Sequence, residues 1–225
     1  MNNYIAFEIN DFQKKLNGYN MLFNYRMTNL CVKAEPTALM PVTVNVANTE
    51  YNLEEVADIL KPDDFSFDVY PKNQNNLQQI IDGVFDMHPE FKMEIKTDKN
   101  ANDEAVRHVV YTMPDVDKDR RDLLNEISKT FHKECQTSLD ACYAKQQAKL
   151  VEVFTQMPAN EVDEAKTGFK NIYDESKENA NKLLDAKLTE IEEGYQRYLS
   201  KVEDGGDLGD EMDFSKGIRM DQMEE

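Results

Sequence analysis

Cysteine is scarce in this sequence, with three residues in 225. An odd and small number argues against a disulfide framework and is typical of the reducing cytosol. No apolar run approaches about 18 residues, the length that a membrane-spanning helix needs. The first residues lack the basic and apolar regions of a signal peptide. These absences predict a cytoplasmic protein that makes no contact with a membrane.

The usual catalytic signatures are also missing. The sequence has no Gly-rich phosphate loop and no His-Glu-x-x-His motif, and its carboxylates are scattered over predicted helix surfaces, as solvated charges are. We therefore predict a protein that is not an enzyme, with no catalytic residues, no cofactor and no small-molecule substrate.

One group of metal-ligating residue types occurs at helical spacing. His132 and Cys135 are three residues apart, and Cys142 lies seven residues further on. A structural zinc ion needs four ligands, and the other two histidines fall in a different predicted region. Cysteine on an apolar helix face behaves as a small hydrophobe. We therefore predict that both cysteines are core residues and that the chain has no metal site.

Basic residues are outnumbered, with 26 Lys and Arg against 44 Asp and Glu, which gives a net charge of −18. Proteins that bind RNA or DNA normally show the opposite excess, because neutralising phosphates supplies much of their affinity. Charge alone therefore argues against a nucleic-acid partner.

The sequence does contain a long stretch of helical periodicity, over residues 117–199. Its apolar positions recur every three or four residues, which places them on one side of a helix. Pro158 interrupts the pattern, and Asn160 is a suitable N-cap for the second half. Because the connection is short, we predict two long antiparallel helices that form a rod.

A third helix is predicted over residues 10–33, where Phe12, Leu16, Phe23 and Met27 continue the same spacing. A pair of helices buries only one face of each, so the third helix is expected to complete the core. We predict a three-helix bundle made of residues 8–33 and 116–200.

Between the first helix and the long pair the periodicity changes. Residues 34–115 contain alternating, β-branched runs separated by prolines and polar turns, which predicts a small α+β, β-rich domain inserted into the bundle. The predicted strands are 42–46, 65–69, 91–95 and 108–112, and the predicted helices are 53–60 and 77–85. The fold class is thus α+β, with an L-shaped arrangement of two domains. Residues 201–225 are acidic and glycine-rich, which predicts a disordered tail.

This order of elements resembles that of the ribosome recycling factor family, and two segments strengthen the resemblance. The stretch CVKAEPTAL from Cys31 to Leu39 aligns without gaps with the family's RTGRASPALL run, and the same register places Pro62 and Pro71 over family prolines. The stretch MPDVDKDRRDL from Met113 to Leu123 is similar to the family's PPLTEERRKDL. The similarity covers about residues 8–200.

The resemblance implies a non-enzymatic translation factor that binds ribosomal RNA and works with elongation factor G on post-termination ribosomes. The RNA-binding residues that it implies here are Lys33, Arg120, Arg121, Lys129 and Lys133. The sequence departs from the family at its other arginines. One of the two in the first run falls on Leu30, and the family's RNIRR cluster on the long helix corresponds to residues 138–143, which contain no basic residue.

Two functions are therefore compatible with the sequence. The first is a recycling-factor-like protein that acts on ribosomes. The second is a divergent paralogue that serves as a protein-interaction module for an unknown partner and has no recycling activity. The lost arginines are expected to weaken RNA binding, because the bidentate geometry of arginine on phosphate is not easily replaced.

Overall fold

The two longest helices of the protein pair along most of their length. The computed structural model describes residues 3–99, 103 and 105–203; of these, α5 spans Lys118–Thr155 and α6 spans Ala159–Glu203. Arg121, early in α5, contacts Tyr195, late in α6, and Tyr143, late in α5, contacts Tyr173, early in α6, so the helices are antiparallel. The predicted break at Pro158 is confirmed, although α6 already begins at Ala159 rather than behind an Asn160 cap.

Helix α1, Asn3–Thr28, packs against both long helices and completes the three-helix bundle. Phe12 is fully buried, with its ring 5.5 Å from that of Phe169 on α6 and 6.1 Å from that of Tyr143 on α5. The predicted limits of this helix, residues 10–33, are wrong at both ends. The helix starts seven residues earlier because Ile5 and Glu8 are buried against the bundle, and it stops before Cys31, whose backbone has φ of 48°.

The bundle core consists of the apolar positions that the helical periodicity predicted, which confirms Cys135 as a core residue and Cys142 as one packed against the core. Its buried members are Ile5, Phe12, Leu16, Phe23, Met27, Cys135, Leu139, Leu150, Ala165, Phe169 and Ala180.

The inserted segment folds as a four-stranded antiparallel sheet with a separate hairpin and a packed helix, which confirms the α+β class. The sheet order is β3-β4-β6-β5, and α4 packs against β1 of the hairpin and against β6. The elements are α2 Pro36–Leu39, β1 Thr43–Val46, β2 Thr49–Asn52, α3 Leu53–Val56, β3 Ala57–Asp63, β4 Ser66–Pro71, a 3-10 turn Gln74–Asn76, α4 Leu77–Met87, β5 Lys92–Lys99 and β6 Ala105–Thr112.

The helix predicted over residues 53–60 is wrong in its second half. A capping box between Asn52 and Glu55 starts one helical turn, which ends at Val56. From Ala57 onwards the backbone pairs with β4 instead, as the edge strand β3. Pairing with a neighbouring strand has overridden the local helical pattern, and Pro62 is tolerated because an edge strand leaves part of its backbone unpaired.

The contact between the bundle and the inserted segment is close-packed. Val32, Val116, Leu124 and Ile191 form a small apolar cluster where the chain enters and leaves the insertion. Gly194 of α6 lies beside it, and a Cβ atom at this position would come within 2.9 Å of Val116 and 3.2 Å of Val32. Glycine is therefore needed for this approach.

Two predictions about the ends and surfaces of the chain can be placed on this fold. Residues 201–203, predicted to be part of a disordered tail, belong to α6, and residues 204–225 lie outside the described part of the chain. None of the described helices combines the length and the apolarity that crossing a membrane requires. The L-shaped outline and the exact domain limits stay predictions.

Candidate functional site

Lys33, the first of the predicted RNA-binding residues, lies where the chain leaves the bundle. Its ammonium group is 2.8 Å from a carboxylate oxygen of Glu193, and its backbone N–H donates to Glu190 at 3.1 Å. The hydrogen bond with Glu193 raises the pKa of Lys33. Both carboxylates belong to α6, so the charge of Lys33 is already offset by this helix.

Arg120 lies in the first turn of α5 and is turned towards the inserted segment. Its backbone N–H donates to the N-cap Asp117 at 2.7 Å, which fixes the start of the helix. Burial lowers the pKa of Arg120, and the charges of Glu90 and Cys31 oppose this shift. Its Nε atom is buried and has no hydrogen-bond partner among the described residues. Arg120 is therefore a junction residue, with limited access for a phosphate.

Arg121 lies against α6. Its guanidinium carbon is 4.3 Å from the centre of the Tyr195 ring, a cation–π geometry, and its Nη2 atom is 2.8 Å from Asp122. Part of its side chain stays accessible, with 24% of the surface exposed. Arg121 can therefore contact both α6 and an external ligand.

Lys129 and Lys133 are exposed and lie one helical turn apart on the same face of α5. Neither forms an ion pair within residues 3–99, 103 and 105–203. Lys149 of the same helix differs, because its ammonium group is 2.7 Å from the buried carboxylate of Glu8. Of the five predicted residues, Lys129 and Lys133 are thus the best placed to bind phosphate.

The segment that replaces the family's arginine cluster is partly core. Leu139 is fully buried and Cys142 is half-buried in the bundle. Asp140, on the exposed side, accepts hydrogen bonds from Tyr173 and Lys177 of α6. Because residues 138–143 contain no basic residue, this segment offers no cation to a phosphate.

His132, Cys135 and Cys142, the group of metal-ligating residue types noted in the sequence, have separate surroundings. His132 is 2.8 Å from the Asn181 side chain, and the Cys135 thiol lies near the Tyr19 carbonyl, at 3.9 Å. These three residues are not brought together in the described part of the molecule.

A different polar cluster, which sequence reasoning missed, lies at the junction. It consists of Cys31, His88 and Glu90 and is close to Arg120. Burial lowers the pKa of His88, but its hydrogen bonds with Cys31, Glu90 and the Ala38 carbonyl outweigh this effect and raise the pKa to about 10. Helical spacing could not reveal the cluster, because 57 residues separate Cys31 from His88.

Arg197 is another residue that sequence reasoning did not select. Its guanidinium carbon is 3.5 Å from the centre of the Phe65 ring, so it joins α6 to the loop before β4. Nearby, Asp115 forms ion pairs with Lys201 of α6 and Lys92 of β5. These contacts hold the end of α6 against the inserted segment.

A long helical bundle interrupted by a compact α+β insertion defines the structural class. The family model described as ribosome recycling factor matches residues 25–191, about three quarters of the chain. The chain therefore belongs to the ribosome recycling factor family.

Solved structures agree on the fold. A solution structure of the ribosome recycling factor matches with a TM-score of 0.66 at 14% identity, over 86% of this chain and 100% of that one. A Thermus thermophilus ribosome recycling factor, described with Escherichia coli elongation factor G in a model of the E. coli post-termination complex, matches with a TM-score of 0.53 at 17% identity, over 83% and 98%. Comparison with curated proteins gives no match.

Proposed function

We propose that this protein binds post-termination ribosomes as a non-enzymatic translation factor, together with elongation factor G. The observation that carries the proposal is membership of the ribosome recycling factor family, with a family model that spans both the bundle and the insertion. The related structure described with elongation factor G and a post-termination complex supports the choice of partners.

The local charge of the bundle supports an RNA contact better than the net charge does. Helix α1 carries three basic and two acidic residues, α5 seven basic and six acidic ones, and α6 seven basic and eleven acidic ones, so the three bundle helices together are close to neutral. Residues 34–115 carry six basic and sixteen acidic residues. Because charges beyond a Debye length of about 8 Å are screened at physiological salt, the side chains near the contact decide the interaction.

On α5 we propose an RNA-binding surface in which Lys129 and Lys133 make the principal phosphate contacts and Arg121 adds a third. Lys33 and Arg120 contribute less, because one is paired with α6 carboxylates and the other is turned into the junction. A surface with few arginines should bind less tightly than that of a recycling factor with the complete cluster.

The test is co-sedimentation of the purified protein with 70S ribosomes over a salt series, beside an ordinary recycling factor. We expect binding that weakens with salt and that is weaker than for the ordinary factor. Replacing Lys129 and Lys133 by alanine should weaken it further and lower the slope of log affinity against log salt by about one for each lost contact.

A matched control removes the same charge from another face. Lys170 and Lys182 of α6 are exposed and paired with Asp174 and Glu178, one helical turn away in each case. Their double alanine variant should bind ribosomes as the unmodified protein does. Equal losses in both double variants would show that binding follows net charge alone and would contradict the proposed surface.

The second candidate is a protein-interaction module without recycling activity. The observation that favours it is the partly buried, cation-free segment where the family has its arginine cluster. A folded helical spectrum without co-sedimentation at any salt concentration would support this alternative. A second, arginine-bearing copy of the factor in the same genome would favour it as well.

A further inference from the structure

The junction cluster brings three metal-ligating side chains to one place. Cys31 lies between α1 and α2, His88 caps the C-terminus of α4, and Glu90 follows in the loop before β5. One ligand atom from each residue lies within 4.8 Å of the other two. Cys31 and His88 are buried, and Glu90 is half-buried. Within the described ranges no other group of Cys, His and acidic residues has this geometry.

The separations are close to those of a bound transition metal. The Cys31 sulfur is 3.8 Å from His88 Nδ1, and a Glu90 oxygen is 3.2 Å from the same nitrogen. Zinc–ligand bonds of about 2.0–2.3 Å in tetrahedral geometry hold neighbouring ligand atoms about 3.3–3.8 Å apart. Small side-chain shifts are therefore enough to surround one ion.

The surroundings of His88 match those of a metal ligand. Its second nitrogen, Nε2, donates to the backbone carbonyl of Ala38 at 2.9 Å. This contact leaves Nδ1 to face Cys31 and Glu90, and it is the outer-shell arrangement that orients most ligating histidines. The Phe91 ring stacks on the imidazole at 4.5 Å and fixes its plane.

The charges near the cluster set a limit on the affinity. Arg120 contributes a positive charge that repels a divalent cation, and the protonated His88 ring has to lose its Nδ1 proton before it can bind one. A Cys31 thiolate and the Glu90 carboxylate offset these effects. Thiolate and imidazole favour zinc over magnesium or calcium, which prefer oxygen ligands.

We propose that Cys31, His88 and Glu90 bind one divalent transition-metal ion of the zinc class, with the fourth position open to water or an anion. On binding, the Cys31 thiol and His88 Nδ1 release their protons to solvent, and three metal–ligand bonds form without any redox change. The ion joins the segment that leaves α1 to the α4–β5 loop. The proposal is independent of ribosome binding.

The test titrates the full metal-free chain with Co²⁺, whose thiolate complexes give charge-transfer absorption. We expect one ion per chain and displacement of Co²⁺ by Zn²⁺. We expect each of three substitutions to weaken Co²⁺ binding at least about tenfold: Cys31→Ser, His88→Gln and Glu90→Gln. Loss of even an outer-shell partner of a metal ligand lowers metal affinity by about 10–100-fold. Cys142→Ser, which removes a half-buried thiol from the bundle, should bind as the unmodified protein does.

Two further measurements keep the test decisive when a core variant fails to fold. Zn²⁺ should raise the melting temperature of the unmodified protein saturably, a chelator should reverse this, and Mg²⁺ should have no such effect. Arg120→Gln should tighten binding by removing the repulsive charge. Absence of stoichiometric Co²⁺ binding, or equal binding by folded Cys31→Ser, would overturn the proposal and leave the cluster as a hydrogen-bonded ion pair.

Discussion

The bundle and the inserted segment carry very different charges. Residues 34–115 contain sixteen acidic residues against six basic ones, whereas the three bundle helices together contain nineteen acidic and seventeen basic ones. Within the bundle, α1 and α5 each have one more basic residue than acidic ones, and α6 has four more acidic residues than basic ones. Much of the net charge of −18 therefore lies away from α1 and α5. Net charge is thus a poor guide to whether this chain approaches RNA, and the distribution along the fold has to be considered instead.

The two regions also form largely separate apolar cores. The bundle core comes from α1, α5 and α6, while the second core contains Val44, Phe67, Val69, Ile80 and Val109 of the insertion. The small cluster at Val32 and Ile191 lies between them. We therefore expect substitutions in one core to affect mainly the region that contains them, and the following predictions test this expectation.

The largest effect is expected from Phe169→Ala in the bundle. Phe169 is 3% exposed and packs edge-on against Phe12, so its loss should lower the free energy of unfolding by about 3–5 kcal/mol. Phe131→Ala is the control. Phe131 is only half-buried beneath the Arg26 guanidinium, so its loss should lower the free energy of unfolding by less. Chemical denaturation followed by circular dichroism measures both. A loss below about 1 kcal/mol for Phe169→Ala would contradict the assigned core.

The next effect is confined to the insertion. At Gly83 of α4 a Cβ atom would come within 2.4 Å of the Thr43 carbonyl oxygen, so Gly83→Ala has to displace α4 from β1 and should cost about 1–3 kcal/mol. Gly18→Ala is the matched control in α1. A Cβ atom added at Gly18 would have no neighbour within 4 Å outside the adjacent backbone, so this substitution should stabilise the helix by about 0.5–1 kcal/mol. Hydrogen exchange should show loosening at α4 and β1 only. Equal loosening of the bundle would contradict separate cores.

The long helices were predictable because each buried position recurs at the helical period over many turns. The insertion was less predictable, since β3 depends on pairing with β4, a contact that residues 57–63 do not encode by themselves. The family was recognisable from the order of elements and from residues 31–39 and 113–123. The pairing of Lys33 with Glu193 and the burial of Arg120 at the junction were not predictable, because both depend on parts of the chain that are distant in sequence.

A pH-dependent effect is expected from the buried carboxylate of Glu8. Burial raises its pKa, but hydrogen bonds from Lys149, Gln146 and Tyr4 outweigh this and hold the pKa below its usual value. A carboxyl whose pKa is lowered on folding stabilises the protein above its unfolded pKa, near 4.5, and this contribution is lost as the pH falls through the folded pKa.

Glu8→Gln should therefore be less stable than the unmodified protein at pH 7, and the difference should shrink below about pH 4.5. Urea denaturation at several pH values measures the difference. The exposed pair Lys15–Asp11 provides the control, because a solvent-screened ion pair contributes little and Asp11→Asn should leave the stability at neutral pH almost unchanged. A difference for Glu8→Gln that is the same at pH 7 and pH 3 would contradict the assigned shift.

The smallest effect concerns two of the cation–π contacts, one inside the bundle and one between the regions. Arg121 lies over Tyr195 and Arg197 lies over Phe65, and each contact is expected to make a small contribution to stability. Arg197→Gln should increase hydrogen exchange around Phe65 and leave ribosome binding unchanged. Arg121→Gln should cost similar stability and weaken co-sedimentation as well, because this side chain also faces the proposed RNA surface. If Arg121→Gln and Arg197→Gln affect ribosome binding equally, Arg121 is a packing residue, and the proposed RNA surface is reduced to Lys129 and Lys133.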